Sequence, residues 1–421
     1  MPARPLTLEE RLSARGISRR QFLKFCGAMT ATLALPSIFT PRIARAMNTS
    51  ERLPVIWLEF QDCAGNTESF LRAASPGVAD IVLEQISLEY HETIMAPAGH
   101  RAERSLDEAL ERHPGQYIAI VEGSIPTAAG GIYCTINGHT ALSIAERVCS
   151  NALATIAVGA CAWDGGWPGA DPNPTGAVGV RDAVPGLKNL INMPGCPANV
   201  VNITAVIVHY LTFKQLPATD EQGRPFFAYG QLIHNNCERR GHFDAGRFVE
   251  SWGDEGHRLG WCLYKMGCKG PETNSNCPSV GWNGTSYWPI GAGHGCVGCM
   301  SERFWDKMAP VYGRLPNVEG FGVEATADTV GAVAVGAVVG GATVHAVASA
   351  LRARSQPITA HDGAETLVEA ASRAMDVVEQ IAGPVKPGEA PATEPATTEP
   401  ERAIALGVLD EREDRRNGDT Q

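Results

Sequence analysis

Six of the chain's twelve cysteines, Cys237, Cys262, Cys268, Cys277, Cys296 and Cys299, fall in a stretch from 231 to about 315 where strand patterning stops and Cys, Gly, Trp and Pro dominate. Such a segment cannot make an ordinary apolar core, so something else has to organise it. Thiolates at close spacing serve zinc or iron–sulfur clusters, both soft enough for sulfur. Cys296-Val-Gly-Cys299 is a C-x-x-C pair, accompanied by Cys277 before Pro278, by His234-x-x-Cys237, and by Cys262 and Cys268. Tetrahedral zinc favours tidy C-x-x-C pairs in sets, whereas single cysteines spread over two domains fit several clusters. Twelve cysteines in 421 residues are too sparse for a small disulfide scaffold.

Upstream, residues 53–230 alternate short apolar runs with helical stretches. Pro54–Phe60, Ile81–Leu88, Tyr117–Val121 and Thr155–Gly159 read as strands, while Ser105–His113 and Leu142–Leu153 show helical periodicity. This pattern predicts a doubly wound α/β domain over 47–230, with functional loops at the strand ends. Cys63, Cys161 and Cys196 stand after such strands or in loops. The formal net charge of −11 argues against a general nucleic-acid binder, which needs a basic face. Gly176-Ala177-Val178-Gly179 lacks the spacing of a dinucleotide loop, and no Ser-His-Asp order can be assembled.

Both ends read as lying outside that fold. Ser18-Arg19-Arg20-Gln21-Phe22-Leu23-Lys24, an apolar stretch from Phe25 to Phe39 and then Ala44-Arg45-Ala46 have the order of a twin-arginine export signal over 1–46, which would take Cys26 with it. After a linker at 316–328, the 329–351 span carries no Asp, Glu, Lys or Arg and as a helix would be about 34 Å long, enough to cross a bilayer. Gly336 and Gly340 suit close helix contact in lipid, and Arg352 and Arg354 predict a cytoplasmic C-terminal end. His345 inside the span is a functional candidate, as a haem contact in a partner or a plain helix–helix hydrogen bond. One amphipathic helix is predicted over 363–382, and the rest of 352–421 reads as an acidic, disordered tail.

Several runs together resemble the small, electron-transferring subunit of exported, membrane-bound NiFe hydrogenases. They include Val55-Ile56-Trp57-Leu58, Cys63 with Thr67-Glu68-Ser69-Phe70, and Val121-Glu122-Gly123-Ser124-Ile125-Pro126. Gly159-Ala160-Cys161-Ala162, Pro172-Asn173-Pro174-Thr175-Gly176, Pro194-Gly195-Cys196-Pro197 and Arg239-Arg240-Gly241-His242-Phe243 follow in order. Trp261-Cys262-Leu263-Tyr264, Gly293-His294-Gly295-Cys296 and Phe304-Trp305-Asp306-Lys307 complete the match. The resemblance implies a flavodoxin-like domain followed by an irregular cluster-binding domain at 231–315. It also implies a heterodimer with a large subunit that holds the NiFe centre, so no catalytic residue is expected on this chain. Three clusters would relay electrons from H2 oxidation to a membrane acceptor, a cytochrome b or another quinone-linked protein. The implied ligands are Cys63, Cys161 and Cys196 for a proximal 4Fe–4S cluster, and Cys277, Cys296 and Cys299 for a medial 3Fe–4S cluster. His234, Cys237, Cys262 and Cys268 would hold a distal 4Fe–4S cluster. A different class, a non-catalytic exported electron-transfer or scaffold protein on the same fold, is the alternative.

One departure matters. The family's proximal C-x-x-C reads Cys63-Ala64-Gly65-Asn66 here, leaving three thiolates for a site that normally has four. Asp62, Glu122, Cys134 or an Asn66 converted to Asp are the candidates for the fourth ligand, and a three-iron cluster is the alternative. Oxygen ligation would alter the reduction potential. The extra cysteines of the six-Cys oxygen-tolerant type are absent, with Gly65 and Gly166 in their places, and Cys134 and Cys149 read as ordinary buried thiols. Truncation after Ala327 is expected to release the exported protein in soluble form. Membrane fractionation checks this, and a truncated chain that stays with the membrane would remove the anchor.

Overall fold

A computed structural model describes residues 18–49, 52–72, 86–282, 285, 287–315 and 327–354. The predicted 363–382 helix, the acidic tail and the 316–326 part of the linker lie outside the described residues, as do 81–85 of the expected second strand. Strands β1 (Leu53–Glu59), β2 (Ile86–His91), β3 (Ile118–Glu122), β4 (Ala154–Val158) and β5 (Leu190–Met193) form one sheet in the order β2-β1-β3-β4-β5. Every neighbouring pair in it is parallel. β5 carried no distinct sequence signal, because four residues are too few to show a period.

The central strands β1, β3 and β4 are nearly continuous apolar runs because both faces are covered. Alternate side chains of β1 enter different cores. Val55 and Trp57 join Ile118, Ile120, Ile156 and Ile191 on one face, under helix α7 (Val200–Phe213). Ile56 and Leu58 join Ala119, Val121 and Ala157 on the other, under α4 (His100–Arg112) and α5 (Ala141–Cys149). Cys149 is buried there, as expected of an ordinary thiol. Helix α3 (Gly65–Leu71) follows β1, and α6 (Gly159–Asp164) follows β4 without an intervening residue.

The N-terminal segment packs on the body instead of standing apart from it. Ser18 and Gln21 form a capping box that starts α1 (Arg19–Thr32), and α2 (Thr40–Thr49) follows. Phe25, Cys26, Met29, Ile43 and Met47 are buried in the same core as α7. The apolar face of a short helix has to be covered, and α7 offers an apolar surface next to it.

The described residues of 226–307 form only single-turn helices and isolated bridges. They attach to α7 through amides: Asn199 caps the helix at Val201 N and donates Nδ2–H to the Gly281 carbonyl at 2.8 Å. Asn202 and Asn276 exchange two hydrogen bonds of 2.9 Å, beside Cys277. Helix Ala327–Arg354, taken by itself, contains a stretch, Val333–Arg352, long and apolar enough to cross a membrane. His345 is exposed on it. Asn202→Ala leaves the half-buried Asn276 amide without its partner, which costs about 1–3 kcal/mol. The expected result is a lower thermal unfolding midpoint of the purified protein, measured against wild type by calorimetry.

Candidate functional site

Sheet register puts three cysteines on one edge. Glu59, Glu122, Val158 and Met193 are successive partners across β1, β3, β4 and β5 and close the carboxyl end of the sheet. Cys63 follows Glu59 by four residues, Cys161 follows Val158 by three, and Cys196 follows Met193 by three. The thiol of Cys161 is pushed up to about 12, mainly by burial and further by Cys196 and Cys63. Cys63 and Cys196 are exposed, so this group opens to the surface.

Close approach is built into the backbone here. A Cβ on Gly166, whose φ is +52°, would lie 2.7 Å from the Sγ, N and Cα of Cys161. One on Gly65 would lie 3.0 Å from the Cys63 Sγ. The two glycines leave a cradle around the thiols that any larger residue would fill.

Behind the cradle is a buried polar knot. Glu122 is fully buried and accepts from Asn66 N at 2.7 Å, Asn66 Nδ2 at 3.2 Å, Thr67 N at 2.9 Å, Thr67 Oγ1 at 2.7 Å and Trp57 Nε1 at 3.3 Å. Asn66 Oδ1 accepts the Ala198 N–H at 2.8 Å, so Asn66 bridges Glu122 to the segment after Cys196. Asp62 keeps one oxygen on the Ala64 N–H, and its carboxylate lies within 4.8 Å of those of Glu59 and Glu122. Burial first, then Glu122 and Glu59, push the Asp62 carboxyl up to about 7. His91 stacks on Trp57 and is held down to about 4 by burial, hence neutral near pH 7. Cys134 packs against the opposite core, where burial is the main cause raising its thiol, with Asp62 and Glu92 as its charged neighbours.

The second group lies in the irregular domain. His234, Cys237, Cys262 and Cys268 line one small cavity together with Ile233, Leu263 and Ile290. Burial and then Arg240 hold His234 down to about 4, so its imidazole is neutral with a lone pair to give. Its ring meets the edge of Phe243 at 4.6 Å, which orients it without any hydrogen bond found among the described residues. Cys237 Sγ accepts the Arg239 N–H at 3.4 Å, and Cys268 Sγ accepts the Gly270 and Cys296 N–H groups at 3.5 and 3.3 Å.

Cys277, Cys296 and Cys299 form the third group between these two. Cys277 meets Ser275 Oγ at 3.1 Å, and Cys296 Sγ accepts the Gly298 N–H at 3.4 Å. Cys299 is pushed up to about 12 by burial, with Cys277 and Cys196 adding to it while a Cys196 backbone bond opposes. Cys296 is raised in turn by burial and then by Cys268, Cys299 and Cys277. The thiols thus form a continuous file from Cys63 to Cys237. All twelve cysteines are free thiols.

Burial and crowding keep these thiols protonated when nothing is bound, and their ionised forms are stable together beside bound cations. Nine thiols and one neutral imidazole are a soft donor set that fits iron–sulfur clusters. Arg239 and Lys269 are buried cations beside Cys237 and Cys268; the sequence analysis gave Arg239 no role beyond its place in a matched run and passed over Lys269. Arg239 donates to the Trp261 carbonyl at 2.9 Å, and Lys269 Nζ to that of Gly313. Adjacency to a cysteine was their only signal. Gly166→Ala is expected to strip iron from the Cys63–Cys161–Cys196 group while leaving the other two groups loaded. Iron analysis with electron paramagnetic resonance on the purified protein reads this directly.

The sequence and the fold have counterparts among known proteins. Residues 229–312 match a sequence family described as the C-terminal part of the NiFe/NiFeSe hydrogenase small subunit, and 63–210 match one described as NADH ubiquinone oxidoreductase, 20 Kd subunit. The chain is 45% identical over 346 residues to the quinone-reactive Ni/Fe-hydrogenase small chain of Wolinella succinogenes, covering 80% of this chain and 97% of that one. It is 47% identical over 338 residues to the uptake hydrogenase small subunit of Bradyrhizobium diazoefficiens, covering 80% and 93%. Among solved structures, the NiFeSe hydrogenase of Desulfomicrobium baculatum superposes with a TM-score of 0.59 at 33% identity, over 63% of this chain and 100% of that one. The actinobacterial-type NiFe hydrogenase of Ralstonia eutropha, at 22% identity and a TM-score of 0.58 over 75% and 95%, shares the fold.

Proposed function

The chain belongs to the small-subunit family of NiFe hydrogenases, and from that premise we propose how its own residues divide the work of an electron-transfer subunit. It pairs with a large subunit that carries the NiFe centre. We assign Cys63, Cys161 and Cys196 to a proximal 4Fe–4S cluster with a non-cysteine fourth ligand. Cys277, Cys296 and Cys299 are assigned to a medial 3Fe–4S cluster, and His234, Cys237, Cys262 and Cys268 to a distal 4Fe–4S cluster. The single observation that carries this reading is the file of neighbouring thiols, exposed at Cys63 and Cys196 and buried further in, in which Cys299 neighbours Cys196 and the Cys296 N–H donates to Cys268 Sγ.

When bound, the clusters supply one-electron carriers between the NiFe site and an outside acceptor. The protein's part is positioning and electrostatics. Backbone N–H groups of Arg239, Gly270, Cys296 and Gly298 point at sulfur and favour its charged form. Lys269 and Arg239 offset the charge of the buried ligands. Glu122 fixes the backbone just after Cys63, so that the three proximal thiols keep their spacing.

The strand order β2-β1-β3-β4-β5 and the helices on both faces support a flavodoxin-like, doubly wound domain at 47–230, with the cluster domain at 231–315. Exposure of Cys63 and Cys196 supports docking of the large subunit on that edge. The twin-arginine run at 19–20 and the apolar Val333–Arg352 stretch support an extracytoplasmic, periplasmic body with one C-terminal anchor. The name of the Wolinella relative supports a quinone-linked acceptor, for which a membrane cytochrome b is the proposed partner. Purified from the membrane with its partner, the protein is expected to carry nickel on the large subunit and about 11 Fe on this one. Metal and sulfide analysis tests this. Zinc in place of iron, or a chain that never brings down a nickel protein, would overturn it.

A further inference from the structure

Three sulfurs of the irregular part share one local device. The Arg239 N–H points at Cys237 Sγ at 3.4 Å, the Gly270 N–H at Cys268 Sγ at 3.5 Å and the Gly298 N–H at Cys296 Sγ at 3.4 Å. Each donor is the second residue after its cysteine. Cys277 is not served in this way. The residue after it is Pro278, which has no N–H, and the Ser279 N–H is spent on the Asn276 carbonyl at 2.9 Å.

A hydroxyl stands in the place of the missing amide. Ser275 Oγ lies 3.1 Å from Cys277 Sγ and accepts the Cys277 N–H at 3.2 Å. With a lone pair given to that N–H, the hydroxyl proton is free to face sulfur, and no other acceptor for it is found among the described residues. Ser275 is 1% exposed and Cys277 4%, so water does not compete for the bond. The backbone around the hydroxyl is fixed as well. The Ser275 N–H donates to the Gln231 carbonyl at 2.9 Å, and the Asn276 side chain exchanges two 2.9 Å bonds with Asn202. A sulfur bound to iron carries no proton, so in the loaded protein only the hydroxyl can donate.

We propose that Ser275, through its Oγ–H, donates a hydrogen bond to the Cys277 sulfur of the medial cluster and thereby raises that cluster's reduction potential. The proposal rests on the assignment of Cys277, Cys296 and Cys299 to the medial cluster. Negative charge on the ligand sulfurs grows when one electron arrives from the proximal side, so a donor aimed at sulfur stabilises the reduced form more than the oxidised one. Burial of both partners strengthens the bond. Ser275 keeps its proton throughout: one electron enters and one leaves, and no covalent bond is made or broken. It is a positioning residue that acts through Cys277, and unlike the three backbone donors it is removed by changing one side chain.

The test uses the whole heterodimer. Iron analysis and electron paramagnetic resonance first establish that the Cys277 group is loaded; a wild type with no cluster there removes the medial assignment itself, before Ser275 is put to the test. Potentiometric titration of the medial signal then reads the midpoint. Ser275→Ala is expected to shift it downward with the iron count unchanged. Ser275→Thr keeps the hydroxyl and is expected to titrate like wild type, while Ser275→Val, of the same shape without it, titrates like Ser275→Ala. An unchanged midpoint in Ser275→Ala, or equal midpoints in the Thr and Val proteins, overturns the proposal. If the variants lose the medial iron, the wild type still decides. Its oxidised signal should show a coupled proton that disappears after brief transfer to D2O, because a hydroxyl proton exchanges before a buried amide does. A signal without such a proton overturns the proposal.

Discussion

Everything in this protein hangs on bringing nine thiols and an imidazole into contact inside a folded chain. Burial raises most of those thiols, and each raises its neighbours further. A protein without counter-charges would leave them protonated and poorly packed. The irregular 231–315 segment is expected from its sequence to lack an ordinary apolar core, yet Phe243, Phe248, Tyr264, Phe304 and Met308 are buried together in one, so apolar packing and the crowded thiols shape it jointly.

The α/β part and the irregular part of the chain meet this demand in different ways. In the α/β domain the geometry comes from hydrogen-bonded register: the last row of the parallel sheet aligns Glu59, Glu122, Val158 and Met193, and the cysteines follow at short, similar intervals. In the irregular part no ladder exists among the described residues, and backbone N–H···S contacts hold Cys237, Cys268 and Cys296 among single-turn helices. Asn199 and Asn202 join the two through side-chain amides on α7. Polar contacts suit this junction because they fix direction, which apolar contact does not.

Glu59 and Glu122 illustrate a local conflict accepted for the sake of the site. Like charges directly opposite on neighbouring strands destabilise a sheet. Here Thr67 Oγ1 sits between them, 3.0 Å from Glu59 and 2.7 Å from Glu122, and also 3.2 Å from His91 Nε2. One hydroxyl proton cannot serve two carboxylates at once, so Thr67 shares its single donor between Glu59 and Glu122. The knot thereby fastens α3 to the sheet behind the open thiol edge.

Much of this was readable in the chain itself. Strands β1, β3 and β4 and helices α4 and α5 stand out because long apolar runs and helical periods are local properties. The cysteine crowding and the runs around it identified family and chemistry for the same reason. β5 and α7 were missed: one is too short to show a period, and the other is apolar nearly all round. The N-terminal segment was read as detached because an export signal looks the same whether or not α7 covers its apolar face. The order of the thiols along the file and the commitment of Asn66 and Glu122 to hydrogen bonds were decided only by tertiary structure. Each depends on residues far apart in sequence, such as Asn66 with Ala198 or Cys268 with Cys296, whose contact is set by how sheet and loops pack.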